Sequence, residues 1–434
     1  MKGFALLLAV GAVLAAGPSI PGTNKADPAS DASDRITEAL LTAMKTQNYA
    51  AAFQMFDPTM QGAVSEEKLR AVWSAQIGTF GPLASWTITQ RTVAQGRDVR
   101  IAMLQFEHGQ LQATVAINPG TQDVAGFLLK PASSKPAPPA TYVDPSSFRS
   151  VDVSIGSAPY VLGGTLTVPT ALGPFPGVVL VHGSGPQDRD ETVGANKVFR
   201  DLAEGLASRG IEVLRYDKRT FVYGPKLGDS ISVDDEVIVD AVAAVAALRD
   251  RSEIDPKRVF VIGHSMGALL APEIAVRAAP VAGAVLLAPP GRAPWDIVLS
   301  QMRYLGAPAK DVADVEGKVA RLKAGTLGKE TLLGVPASYW MDLAARDGIG
   351  MTKKLAKPVL VLRGDRDYQV IEEDIDAWRK GLAGDPDVEF ASMKGLNHLF
   401  LAGTGKPGPA EYDKPGHVDG GVIDKVAGFI SAGK

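Results

Sequence analysis

The chemistry-bearing stretch of this 434-residue chain is VFVIGHSMGALL, residues 259–270, where a serine stands between two glycines. A serine hydroxyl attacks carbonyl carbon only if a base removes its proton and donors meet the oxyanion that forms. The G-x-S-x-G pattern alone arises often by accident. Here it follows an apolar strand-like run directly and opens an apolar helix-like run, the setting of a nucleophile elbow. Gly263 and Gly267 carry no Cβ, so the two arms of a sharp turn can approach closely. Ser265 would then stand above a sheet at the positive end of a helix. The plainer reading makes Ser265 an ordinary turn residue.

The base must be one of five histidines: His108, His182, His264, His398 or His417. His108 falls in a hairpin turn of a separate domain, and His182 and His264 belong to glycine turns. GLNHLF places His398 in the loop after strand 388–393, at the strand's carboxyl end, where a base is needed. His417 follows a Pro/Gly-rich excursion and suits a cap or a surface loop better. The third member should be a carboxylate after the preceding strand. VLVLRGDRDYQV offers Asp365 and Asp367, and we prefer Asp367 because it lies farther into the loop, with Asp365 bracing the turn. The order Ser, Asp, His is that of α/β-hydrolases.

Oxyanion donors come from main-chain N–H groups. VLVHGSGPQDRDE (179–191) puts a glycine-rich turn after an earlier strand, so Ser184, with Gly185 second, joins Met266 as donor. Asp188, Arg189 and Asp190 border the pocket mouth or brace the glycine loop, and the brace is preferred. Asp217 reads as a further brace, and Lys218 and Arg219 would suit an acidic substrate only if they faced the pocket.

The elements that must position these groups follow from periodicity. Residues 34–44, 49–56 and 65–77 read as helices, with Ser33 and Ser65 as caps. After Gly81–Pro82 the period becomes two, giving strands at 85–94, 98–107, 110–117 and 123–129. Helices followed by an antiparallel meander make a small α+β domain over residues 30–130. PASSKPAPPATYVDPSS, residues 131–147, is a proline-stiffened linker. From 148 to 434 apolar strands alternate with helices, which predicts an α/β domain with a mostly parallel sheet covered on both faces. Working groups gather at the carboxyl ends of such strands. A helical insertion at about 290–354 reads as a cap, where Trp295, Tyr339 and Trp340, with Tyr304, line a substrate pocket or form the cap's own core.

GHSMG, HGSGPQDRDE, GDRDYQV and NHLF together resemble the secreted bacterial α/β-hydrolase esterases that carry a small N-terminal domain of the nuclear-transport-factor-2-like cone type. By that resemblance Ser265, Asp367 and His398 match the triad, and Ser184 and Met266 the oxyanion hole. Many relatives have Gly where this chain has Ala268.

Residues 1–16, MKGFALLLAVGAVLAA, read as a cleaved export signal, with Lys2 ahead of an apolar run too short to span a bilayer and small residues at the cut site. Residues 17–29 read as a disordered spacer, and export means a periplasmic or extracellular location. A formal charge of −3 gives no reason to expect nucleic acid or an anionic membrane as partner. The chain has no cysteine, which removes thiol nucleophiles, thiolate metal sites and disulfides. The expectation is a carboxylesterase for small ester substrates of short to medium acyl chain, needing neither metal nor organic cofactor. A peptidase, amidase or acyltransferase on the same triad is the near rival, and a polymer-binding role for the first domain is the reading from another class. Dehalogenase and epoxide hydrolase chemistry is disfavoured, since it uses Asp where Ser265 stands.

Overall fold

The computed structural model describes residues 28–94, 96–107, 109–131, 137–224, 227 and 231–433. The segment read as an export signal, that read as a spacer up to residue 27, residues 132–136 and His108 lie outside the described residues. The chain divides into two compact units, Met1–Ser134 and Lys135–Lys434.

In the first unit four helices precede a four-stranded sheet in sequential antiparallel order. The strands Leu83–Ala94, Arg97–Phe106, Gly109–Ile117 and Val124–Pro131 fall where alternation predicts them. The first helix runs Pro28–Lys45, starting ahead of the predicted residue 34. Ser33 therefore lies inside it, with its hydroxyl on Asp98 Oδ2 at 2.7 Å rather than on a helix end. Ser65 does cap Glu66–Phe80, accepting from Lys68 N. A short helix, Pro58–Ala63, escaped the periodic reading; Asp57 accepts from Met60 N and Pro58 takes the first position, where its missing N–H costs nothing. Leu40, Met44, Trp73, Leu104, Val115 and Ile117 pack into one core.

The second unit is built on eight strands. Their order is Val388–Met393, Val359–Gly364, Gly283–Leu287, Ile254–His264, Phe175–Val181, Glu212–Tyr216, Leu162–Pro169 and Phe148–Ile155. The first six are parallel to one another; Leu162–Pro169 is antiparallel to both strands beside it. Every residue of Phe175–Val181, Gly283–Leu287 and Val359–Gly364 is buried, as continuous apolar runs demand when helices cover both faces. The long predicted helix at 233–250 opens in one wide i→i+5 turn, Asp234–Ile238, before Val239–Arg249.

The insertion holds helices Pro294–Tyr304, Ala309–Lys323, Ala337–Ala344 and Gly348–Leu355. Its entry is tied to the sheet domain by Asp374, which accepts from Gly291 N, Arg292 N and the Arg292 guanidinium at 2.8–3.0 Å. Among the described residues no helix is long and apolar enough to cross a membrane.

Candidate active site

Ser265 follows the last residue of Ile254–His264 and precedes the first of Met266–Arg277, with φ 54° and ψ −119°. Such a backbone is costly for a residue with a side chain and persists only where its surroundings enforce it. The enforcement is visible. A Cβ on Gly263 would lie 2.1 Å from the carbonyl oxygen of Gly267, and one on Gly267 would lie 2.2 Å from that of Val181. The Ser265 N–H donates to Leu287 O at 2.8 Å, and its carbonyl accepts from Ala268 N at 2.9 Å. His264 and Met266 are buried on either side, while Ser265 is partly exposed. Ala268 is wholly buried, so its methyl fits where many relatives have none.

Asp367 and His398 are brought together. His398 Nδ1 lies 2.7 Å from Asp367 Oδ2, and both side chains are buried. The other carboxylate oxygen accepts from Gln369 N at 2.8 Å and Val370 N at 3.0 Å, so Asp367 is fixed before it meets the imidazole. With Nδ1 as donor, Nε2 is left as the basic nitrogen. Asp365 accepts from Gly395 N at 2.7 Å and braces the loop that carries His398. His417 spends Nδ1 on Asp201 Oδ1 at 2.9 Å and Nε2 on Pro138 O at 2.7 Å, which makes it a clamp in another part of the unit.

The glycine turn after Phe175–Val181 faces the serine: a Cβ on Gly183 would lie 3.3 Å from Ser265 Cβ. Its N–H is taken by Glu191 Oε1 at 2.7 Å. Ser184 and Gly185 are exposed, and Gly185 has φ +82°, a left-handed turn that suits glycine. Met266 N is the first N–H of its helix, one of the donors that no helical carbonyl can satisfy. Arg189 donates to Asp217 at 2.7 Å and Asp190 receives Arg215 at 3.0 Å and Lys197 at 2.6 Å, the arrangement of a brace. Arg219 is paired with Asp240 at 2.6 Å and Lys218 is 1 % exposed, so neither cation is offered to solvent or substrate. His182 packs on Phe199 and Tyr216, and burial pushes its pKa down to about 4, which keeps the ring neutral.

Of the two readings left open for the cap aromatics, Trp295 and Trp340 take the second. Trp295 and Trp340, each 8 % exposed, sit with Leu299, Val315, Val319 and Leu322 in the cap's own core, and Trp340 Nε1 donates to Leu332 O at 3.0 Å. Tyr339, one residue earlier on the same helix, leaves that core. Its hydroxyl donates to Glu236 Oε2 and lies 3.6 Å from Met266 Sδ, and burial, then the neighbouring carboxylate, raises its pKa. Glu191, Glu236 and the loop contacts of Lys218 escaped the sequence reading. The E of HGSGPQDRDE was the available signal for Glu191. Tyr304, the fourth cap aromatic, stacks on Tyr368 at 5.1 Å, next to Asp367 in the chain. Among the described residues no group of three or more His, Asp or Glu side chains is placed to hold a metal ion.

Residues 178–407 match the model of the Alpha/beta hydrolase family. The chain is 39 % identical to Esterase EstD of Thermotoga maritima over 394 residues, 89 % of this chain and 92 % of that protein. Similar solved structures include the Pyrococcus furiosus esterase Pf2001, with a TM-score of 0.43 and 20 % identity over 68 % of this chain and 96 % of that one. Est1E from Butyrivibrio proteoclasticus gives a TM-score of 0.43 at 16 % identity, covering 65 % and 98 %. An elbow serine, a histidine–carboxylate pair, the family match over residues 178–407 and the 39 % identity to Esterase EstD lead to one statement: the chain belongs to the α/β-hydrolase family.

Proposed function

We propose that this protein is a carboxylesterase-type serine hydrolase that cleaves small carboxylic esters, of short to medium acyl chain, through an acyl-enzyme. The observation that carries the reading is the 2.7 Å contact of His398 Nδ1 with Asp367, each beyond the carboxyl end of its own parallel strand as Ser265 is beyond Ile254–His264. His398 Nε2 removes the Ser265 proton as Oγ bonds to the ester carbonyl carbon, and Asp367 steadies the imidazolium. The carbonyl π electrons move to oxygen, and this oxyanion rests on the amides of Ser184 and Met266. The intermediate expels the alcohol, which leaves with the proton from His398. Water then enters by the same base and frees the acid. The likeness to a named esterase over nine-tenths of the chain supports the ester as substrate class.

The test is Ser265→Ala assayed on a short p-nitrophenyl ester, together with fluorophosphonate labelling of the unaltered protein. The expected result is a loss of at least about 10³-fold with an unchanged far-UV spectrum, and a single label on Ser265. An undiminished rate in the folded variant overturns the reading.

Export accompanies this function in our reading, supported by Lys2, the apolar run and Ala15–Ala16. Mass spectrometry of the exported protein should find Ala16 and all before it removed. The cone-type identity of the first unit is supported by its helices-then-meander order.

A further inference from the structure

Lys218 is buried beneath the glycine turn, and its three N–H donors are all engaged. Nζ donates to Gly183 O at 2.9 Å, to Gly185 O at 2.9 Å and to Glu236 Oε1 at 2.6 Å. Glu236 is 5 % exposed, and its second oxygen receives the Tyr339 hydroxyl from the cap helix Ala337–Ala344. Burying an ion pair costs several kcal/mol per ion before attraction repays it. Holding a glycine turn in place does not by itself require that expense, since neutral donors would serve.

The carbonyl that Lys218 grips belongs to the peptide group whose N–H is that of Ser184. Amide resonance couples the two ends, so positive charge on the oxygen draws electron density from nitrogen and strengthens the N–H as a donor. Glu191 holds the N–H of Gly183, one peptide earlier, so the Gly183–Ser184 unit is flanked by two fixed contacts. We propose that Lys218 is a positioning residue of the oxyanion site, which orients and polarises the Gly183–Ser184 peptide so that the Ser184 amide binds the developing oxyanion more strongly than the ground-state carbonyl. The inference rests on the triad reading above. Glu236 keeps Lys218 aimed at the turn, and Tyr339 extends the line to the cap and to the side chain of Met266.

The experiment compares Lys218→Met and the charge-balanced pair Lys218→Met with Glu236→Gln, so that no lone buried carboxylate confuses the result. Steady-state kinetics on p-nitrophenyl acetate are read beside inhibition by a trifluoromethyl ketone, which adds to serine as an oxyanion, and by the matching methyl ketone, which binds as a carbonyl. The double variant is expected to lose about 10- to 100-fold in kcat, somewhat less than deletion of a whole donor, with KM within about twofold. Trifluoromethyl ketone affinity should drop by the same factor while methyl ketone affinity holds. Equal losses for both ketones, or an unchanged kcat, overturn the proposal. Ser265→Ala runs alongside: if it stays active the site reading fails and takes this inference with it, whereas an inactive Ser265→Ala beside a fully active double variant defeats the inference alone.

Discussion

His264 Nδ1 lies 3.0 Å from Glu191 Oε2, and both side chains are buried. The other ring nitrogen, Nε2, lies 3.0 Å from the carbonyl oxygen of His398. With an acceptor on each side, the ring is best satisfied as imidazolium. Burial pushes His264 toward neutrality, yet the Glu191 carboxylate outweighs it and holds the pKa above the usual 6.5. Burial likewise raises Glu191, and the facing imidazole overcomes that to hold it below 4.5. The residue before the nucleophile thus links the glycine turn to the loop of the base.

Glu191→Gln should lower stability by about 3 kcal/mol in denaturant unfolding, the usual scale for breaking a buried pair. The pH dependence follows from the signs. The His264 contribution is whole below its unfolded value of 6.5 and fades as pH climbs through the raised folded one. The Glu191 contribution is whole above 4.5 and fades as pH drops through the depressed folded one. The gap between variant and parent should therefore be widest between pH 4.5 and 6.5. A gap that grows steadily toward pH 9 contradicts this account.

Asp367→Asn should cut kcat on a short p-nitrophenyl ester by about 10³- to 10⁴-fold, since an amide can hold the imidazole in the wrong tautomer. Asp365→Asn keeps an oxygen for Gly395 N and should stay within about threefold of the parent. The two rates, measured side by side, separate the partner of the base from the brace of its loop.

His398→Ala and His417→Ala should divide along the same line. The first abolishes turnover; the second leaves kcat within about threefold and lowers stability by about 1–2 kcal/mol through the lost contacts to Asp201 and Pro138. Thermal unfolding and kinetics on both variants decide it.

Gly267→Ala puts a methyl 2.2 Å from a carbonyl oxygen and should yield no folded protein. Gly183→Ala meets Ser265 Cβ at 3.3 Å, a clash that a few tenths of an ångström relieves. It should fold and lose roughly tenfold in kcat by displacing the nucleophile. Soluble yield and kcat check the pair.

Much of this was legible because Ser265 and Asp367 each sit just beyond a strand that ends in an apolar run, VFVIGH and VLVLRG, whereas His398 follows the mixed strand VEFASM and was reached by setting the other histidines aside. Asp365 and Asp367 were separable because their distance from the strand end sets what each can reach. Lys218 and Glu191 act on main-chain atoms across folded distance, and Glu236 on the side chains of Lys218 and Tyr339, so spacing did not show their partners and all three look like ordinary surface charges in sequence. The cap aromatics stayed open between two readings for a geometric reason. Consecutive residues on a helix point about 100° apart, so Tyr339 and Trp340 reach different neighbours, and periodicity alone does not say which face meets the sheet domain. The early start of Pro28–Lys45 was hidden by Pro, Ser and Asp residues that resemble a spacer in composition.

The twisted backbone at Ser265 sets robustness against usefulness. Glycine adopts that conformation freely, so Ser265→Gly should melt higher than the parent by relieving about 1–3 kcal/mol of strain, while hydrolysing nothing. Laboratory evolution that rewards heat tolerance alone would therefore erase the nucleophile early, and only a concurrent screen for turnover would preserve it.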